Sequence, residues 1–154
     1  MNTLVIYDSQ FGNTERLAQL IAETFQAYGP ARAVHVDPEQ TIVLDGIDLF
    51  ILGCPTQAFN STVAMQSVIK TISQTTLRTV AVACFDTKMR GPWGSAARSM
   101  AKHLRDKGIE LLLPPQSFIV TGREGPLADN EEEHAVTWAK VLQEKRAIQM
   151  ALVG

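Results

Sequence analysis

Ser9-Gln10-Phe11-Gly12-Asn13-Thr14 stands between two unlike stretches of chain. Before it, Thr3-Leu4-Val5-Ile6-Tyr7 is a short, apolar, β-rich run that reads as a buried strand. After it, Leu17, Leu20, Ile21, Thr24, Phe25 and Tyr28 recur at helical spacing and read as an amphipathic helix. A loop that feeds a helix N-terminus offers unpaired N–H groups and the positive end of the helix dipole, so it suits an anion, most often a phosphate. The P-loop pattern needs a lysine before Ser/Thr, and G-x-G-x-x-G needs two further glycines; neither pattern is present. What remains is a set of hydroxyls without a cation, which suits a phosphate monoester that is held rather than hydrolysed. The other reading of the hexapeptide is a Ser/Asn/Thr-capped helix start with no ligand.

The remaining chain repeats the strand–helix theme. Gly29-Pro30 stops the first helix. Residues 31–36 read as a second strand, weakly alternating and suited to a sheet edge, and Asp37-Pro38-Glu39-Gln40 as a turn or short helix start. Residues 47–53 are nearly all apolar, as in a strand buried on both faces. A helix follows from Ser61 or Thr62, with Met65, Val68, Ile69 and Ile72 inward. Residues 78–85 form a fourth strand, and a helix from Gly94-Ser95 to Gly108 turns Ala97, Met100, Ala101 and Leu104 to the core. Ile109–Leu113 and Gln116–Val120 read as a last strand broken by Pro114-Pro115, hence an edge or a bulge. A final helix runs from about Asp129 to Arg146, acidic at its start and basic at its end. Alternation of this kind is the α/β signature: a parallel sheet covered on both faces, in three layers.

Length and composition bound the function. A chain of 154 residues predicts one domain, here 1–147 with a short tail at 148–154. A net charge of −2 leaves no basic footprint for nucleic acid and no strong acidic field either. Two cysteines set up no disulfide framework, and no apolar run approaches 20 residues, so a cytoplasmic protein without membrane association is expected. His35, His103 and His134 have no metal-ligand spacing, and no metal or catalytic side chain is assigned. A response regulator would need a phospho-acceptor Asp after the third strand, where Gly53-Cys54-Pro55 stands.

Ser9, Gln10, Phe11, Gly12, Asn13 and Thr14 together resemble the FMN phosphate loop of the flavodoxin family, T/S-x-T-G-x-T, departing at Phe11. Flavodoxin-like quinone reductases are similar in carrying an aromatic residue before the glycine. Pro55-Thr56-Gln57-Ala58-Phe59 resembles the loop that lines one face of the isoalloxazine, with Gln57 and Ala58 where Trp and Gly are common. Phe59 is either a stacking aromatic or a plug beneath the loop. Cys84-Phe85-Asp86 sits where the family's G-D-S-x-Y loop meets the ring; Asp86-Thr87 is a partial echo, and Phe85 and Trp93 are the aromatics nearest the missing Tyr.

The resemblance covers the whole chain, which looks like a short-chain flavodoxin and is closest to bacterial flavodoxin-domain proteins of undefined role. It implies a five-stranded sheet of order 2-1-3-4-5, bound FMN, and electron transfer between a reductase and an acceptor protein. Two alternatives stay open: an FMN-dependent NAD(P)H:quinone or protoporphyrinogen oxidoreductase, and a flavin-free binding module of the same fold. In flavodoxins a peptide of the strand-3 loop flips on one-electron reduction through a residue at positive φ. Ala58 stands there, and its Cβ is expected to disfavour that turn. Cys54 and Cys84 fall at neighbouring strand ends and read as two small buried hydrophobes rather than a redox pair. Lys88, Met89 and Arg90 lie beside the expected flavin mouth.

Overall fold

The computed structural model describes residues 1–72, 77 and 79–153. In chain order its elements are β1 (Thr3–Tyr7), α1 (Asn13–Phe25), β2 (Ala31–His35), β3 (Leu49–Pro55), α2 (Val63–Thr71), β4 (Ala81–Met89), α3 (Ala96–Asp106), β5 (Gln116–Val120) and α4 (Glu131–Val153). The strands form one sheet in the order β2-β1-β3-β4-β5, every pairing parallel. β2 and β5 are the edges, as expected. Parallel pairing points all five carboxyl ends to one side, where the connecting loops gather.

The apolar strand runs feed two cores because side chains alternate across a strand. Leu49 and Ile51 join Val5, Ala83, Phe85 and Phe118 under α1 and α4. Phe50, Leu52 and Cys54 join Leu4, Ile6, Val82 and Cys84 under α2 and α3. α1 buries Leu17, Ile21 and Phe25 on one stripe, while Tyr28 lies beyond the helix and is exposed. Thr62 caps α2, its hydroxyl accepting from Met65 N, and Ser95 caps α3 in the same way through Arg98 N.

Several boundaries differ from the sequence reading. β4 ends at Met89 rather than near Phe85, because Phe85–Met89 pair in register with Gln116–Val120 of β5. Its expected start at Arg78 lies outside the described residues. β3 likewise runs on through Cys54 and Pro55, paired with Asp86 and Thr87. Ile109–Leu113 is not a strand; it touches β4 through one bridge, Leu111 to Val82, before the two prolines. β2 and β3 are joined by a turn at Asp37, with Gln40 N donating to Asp37 O, and no helix lies between them. The segment set apart as a tail continues α4 as far as Val153. Arg146 fastens that end, donating from Nε to Asp48 O at 2.9 Å and from Nη2 to Thr79 O at 2.8 Å.

Candidate cofactor site

The Ser9–Thr14 loop turns at Gly12, whose φ of 93° is the left-handed conformation glycine adopts without strain. Ser9 does not face outward as a free hydroxyl. Its Oγ accepts from Gly12 N at 3.2 Å and from Glu15 N at 3.3 Å, so it shapes the loop from within. The N–H groups of Gln10, Phe11, Asn13 and Thr14 have no protein acceptor among the described residues. Thr14 is buried, and its hydroxyl shares a hydrogen bond of 2.9 Å with that of Thr87 on β4. Phe11 is exposed at the rim. Behind the loop, Asp8 Oδ1 accepts from Ser9 N and lies 3.5 Å from His35 Nε2. Beside them, burial pushes the Tyr7 hydroxyl up to about 12, helped by its hydrogen bond to Glu15 Oε1.

The strand-3 loop is a two-residue hairpin turn. Gln57 and Asn60 exchange backbone hydrogen bonds of 2.8 and 2.9 Å, with Ala58 at φ 46° and Phe59 at φ 67° between them. Two successive L-residues at positive φ cost about 1–2 kcal/mol each. Ala58 therefore holds positive φ against the cost its Cβ was expected to impose. The surroundings impose the conformation: Asn60 Oδ1 accepts from Ser61 N and from the Ser99 hydroxyl, and Gly94 packs directly on Phe59. A Cβ on Gly94 would lie 2.4 Å from the Phe59 carbonyl oxygen. Phe59 is 66% exposed and so is no core plug. Gln57 Nε2 donates to Gln10 Oε1 at 2.9 Å, joining this hairpin to the first loop.

Cys84, Phe85 and Asp86 are not on a loop; all three are fully buried within β4. Phe85 points to the α1 and α4 side, where it meets Phe118 and Trp138 edge-on. The loop after β4 is 90–95, and the exposed aromatic it carries is Trp93, packed on Gly91. Asp86 has a structural post instead. Its Oδ2 accepts from the Ser95 hydroxyl at 2.5 Å, Ala97 N at 2.9 Å and the Thr56 hydroxyl at 3.3 Å. Thr56 Oγ1 in turn accepts from Ala96 N at 3.0 Å. The carboxylate thus sits at the positive end of α3 and ties it to the strand-3 loop. Asp86 Oδ1 is buried with no partner among the described residues.

Cys54 and Cys84 share one face of neighbouring strands, opposite Asp86 and Leu52 respectively. Cys54 packs 4.0 Å from Met100 Sδ, and Cys84 donates to Ala97 O at 3.4 Å. Burial pushes the Cys54 thiol up to about 12 and the Cys84 thiol further still. Both thiols are packed in the core, as expected of small buried hydrophobes.

The strand ends border a cavity of about 110 Å³ lined by Ser9, Asn13 and Thr14, by Thr56 and Thr87, and by Lys88 of β4 and Arg123 of the loop after β5. Thr87, only part of a family echo in the sequence, is set opposite Pro55 by the β3–β4 register. Gln10, Phe11 and Pro55 also border the cavity, whereas Gln57, Ala58 and Phe59 stand beyond it on the hairpin. The unpaired N–H groups, the hydroxyls and the left-handed Gly12 fit a phosphate monoester.

A family model described as flavodoxin matches residues 5–138. The chain belongs to the flavodoxin family, whose members typically bind FMN. No curated protein sequence matches it. Among solved structures, flavodoxin 1 of Bacillus cereus superposes with a TM-score of 0.76 at 18% identity, covering 94% of this chain and 98% of that one. The WrbA-like flavodoxin of Agrobacterium tumefaciens gives 0.71 at 18% identity, over 95% and 98% of the two chains. The rubredoxin oxygen:oxidoreductase of Desulfovibrio gigas gives 0.74 at 19% identity over 99% of this chain but only 37% of its own. The present chain therefore spans little more than a third of that protein. At these identities the likeness is one of fold. Among the described residues, no helix is long and apolar enough to cross a membrane and no cluster is suited to a metal ion.

Proposed function

We propose that the chain binds FMN at the carboxyl ends of β1, β3 and β4 and serves as an electron carrier between a reductase and an acceptor protein. The observation that carries this reading is the first loop: the N–H groups of Gln10, Phe11, Asn13 and Thr14, without acceptors among the described residues, gathered at the start of α1 beside buried hydroxyls. Ser9 holds the loop's shape from within, and the backbone around Gly12 with Asn13 and Thr14 would hold the phosphate. The hairpin at Ala58–Phe59 and the loop bearing Trp93 supply the exposed aromatic groups next to it. Bound flavin supplies one- and two-electron chemistry; the protein's share is to bind, orient and exclude water.

A second reading, an FMN-dependent NAD(P)H:quinone oxidoreductase, draws on the exposed apolar rim of Phe11, Phe59, Met89 and Trp93, which suits a flat apolar acceptor. One set of measurements separates the possibilities. Protein mixed with FMN and desalted is expected to retain the flavin absorption bands, and steady NAD(P)H consumption with a quinone is expected only for the oxidoreductase. If no flavin stays bound, the fold serves another ligand.

A further inference from the structure

The sequence offers the phosphate loop no cation, yet the fold brings two. Lys88 near the end of β4 and Arg123 of the loop after β5 line the same cavity as Ser9, Asn13 and Thr14. No carboxylate side chain is among the residues that line it. The Arg123 loop is held in place. Thr121 N and Thr121 Oγ1 both donate to Pro126 O, Gly125 N donates to Gly122 O, and Ala128 N returns to Ile119 O. Asn13 of the first loop reaches across, its Nδ2 donating to Glu124 O at 3.1 Å. Gly125, at φ 99°, packs so closely there that a Cβ would lie 2.6 Å from the Asn13 amide. The guanidinium of Arg123 has no hydrogen-bond or ion-pair partner among the described residues, and Lys88 Nζ spends one donor on Gly91 O at 3.1 Å. In a chain of net charge −2, this cavity is locally basic.

We propose that Arg123, assisted by Lys88, is a phosphate-binding residue of this cavity. The phosphate is then held by charge-assisted contacts from the β5 side as well as by neutral donors from the α1 side. This rests on the flavin reading above and adds a source of specificity to it. Charged donors to a phosphate are about twice as strong as neutral ones, and an arginine fork engages two oxygens at once. A site so built distinguishes FMN from riboflavin chiefly by charge, and its affinity falls with salt.

The test is a pair of fluorescence titrations, with FMN and with riboflavin, at low and at high salt. Wild type, Arg123→Gln, Arg123→Lys and Lys88→Gln are compared. Arg123→Gln is expected to weaken FMN about tenfold, leave riboflavin unchanged and flatten the salt dependence, while Arg123→Lys loses less and keeps the salt dependence. Unchanged FMN affinity in both glutamine variants overturns the proposal and leaves the flavin reading standing. An equal loss of FMN and riboflavin also overturns it, since the loop would then act by packing alone. Failure of the wild type to bind FMN removes the flavin reading itself.

Discussion

Asp86 Oδ2 accepts the backbone N–H of Ala97 at 2.9 Å inside the protein, so a strand residue caps a helix that begins ten positions later. The same oxygen takes the hydroxyls of Ser95 and Thr56. Asp86→Ala strands three donors and is expected to destabilise the fold by about 2–4 kcal/mol, with Asp86→Asn losing less because it keeps an acceptor. Urea denaturation measures both; a loss under about 0.5 kcal/mol for the alanine variant contradicts the capping role.

The Thr14–Thr87 hydroxyl pair makes a sharper test of buried polar matching. Thr14→Val leaves the Thr87 hydroxyl alone and is expected to cost about 1–2 kcal/mol. Adding Thr87→Val is expected to cost less than a second equal step, because neither side then strands a partner. A double-mutant cycle in urea gives the coupling, and strict additivity would rule the pair out as an energetic unit.

Ala58 sits at φ 46°, where glycine rests without a Cβ penalty. Ala58→Gly is expected to be neutral to stabilising by about 1 kcal/mol, against the usual loss when glycine enters ordered structure. Thermal melting under matched conditions decides it; a clear drop in Tm would mean the turn is not left-handed at this residue.

Tyr7, Cys54 and Cys84 are all acids whose neutral forms the fold favours, with ordinary values of 10.0, 9.0 and 9.0 raised by burial. Above pH 9 the unfolded chain loses these protons before the folded one does. Stability from this source is full below pH 9 and falls as pH rises toward 12. Denaturation midpoints are expected to hold near neutrality and drop on the alkaline side, with Tyr7→Phe softening the drop above pH 10. In the folded protein at pH 8 both thiols are expected to resist a thiol reagent that reacts at once after denaturation; two rapid equivalents in the native state would contradict their burial.

Much of the fold was legible because its signals are local. The run from Leu49 to Leu52 is apolar at every position since both sheet faces are covered. Ser95, Thr62 and Gly108 mark helix ends by their own chemistry. The cavity was legible where it too is local, in the Ser9–Thr14 loop and at Pro55-Thr56. Cys84, Phe85 and Asp86 were misplaced because nothing within β4 announces that Gln116–Val120 will pair with its last five residues. Thr87 and Arg123 went unassigned for a similar reason. Their place at the cavity depends on contacts 73 and 111 residues apart in sequence, Thr14 to Thr87 and Asn13 to Glu124. The left-handed Ala58 and Phe59 run against local preference, and only the packing of Gly94 and Asn60 around them accounts for the turn.

The cavity beside Ser9 is bordered by residues at the ends of β1, β3, β4 and β5. An occupant touching all four acts as a removable cross-link between them. Bound, it makes the carboxyl edge of the sheet open as one cooperative unit in hydrogen exchange; released, it lets each loop fray on its own schedule, led by the solvent-facing turns at Phe59 and Trp93.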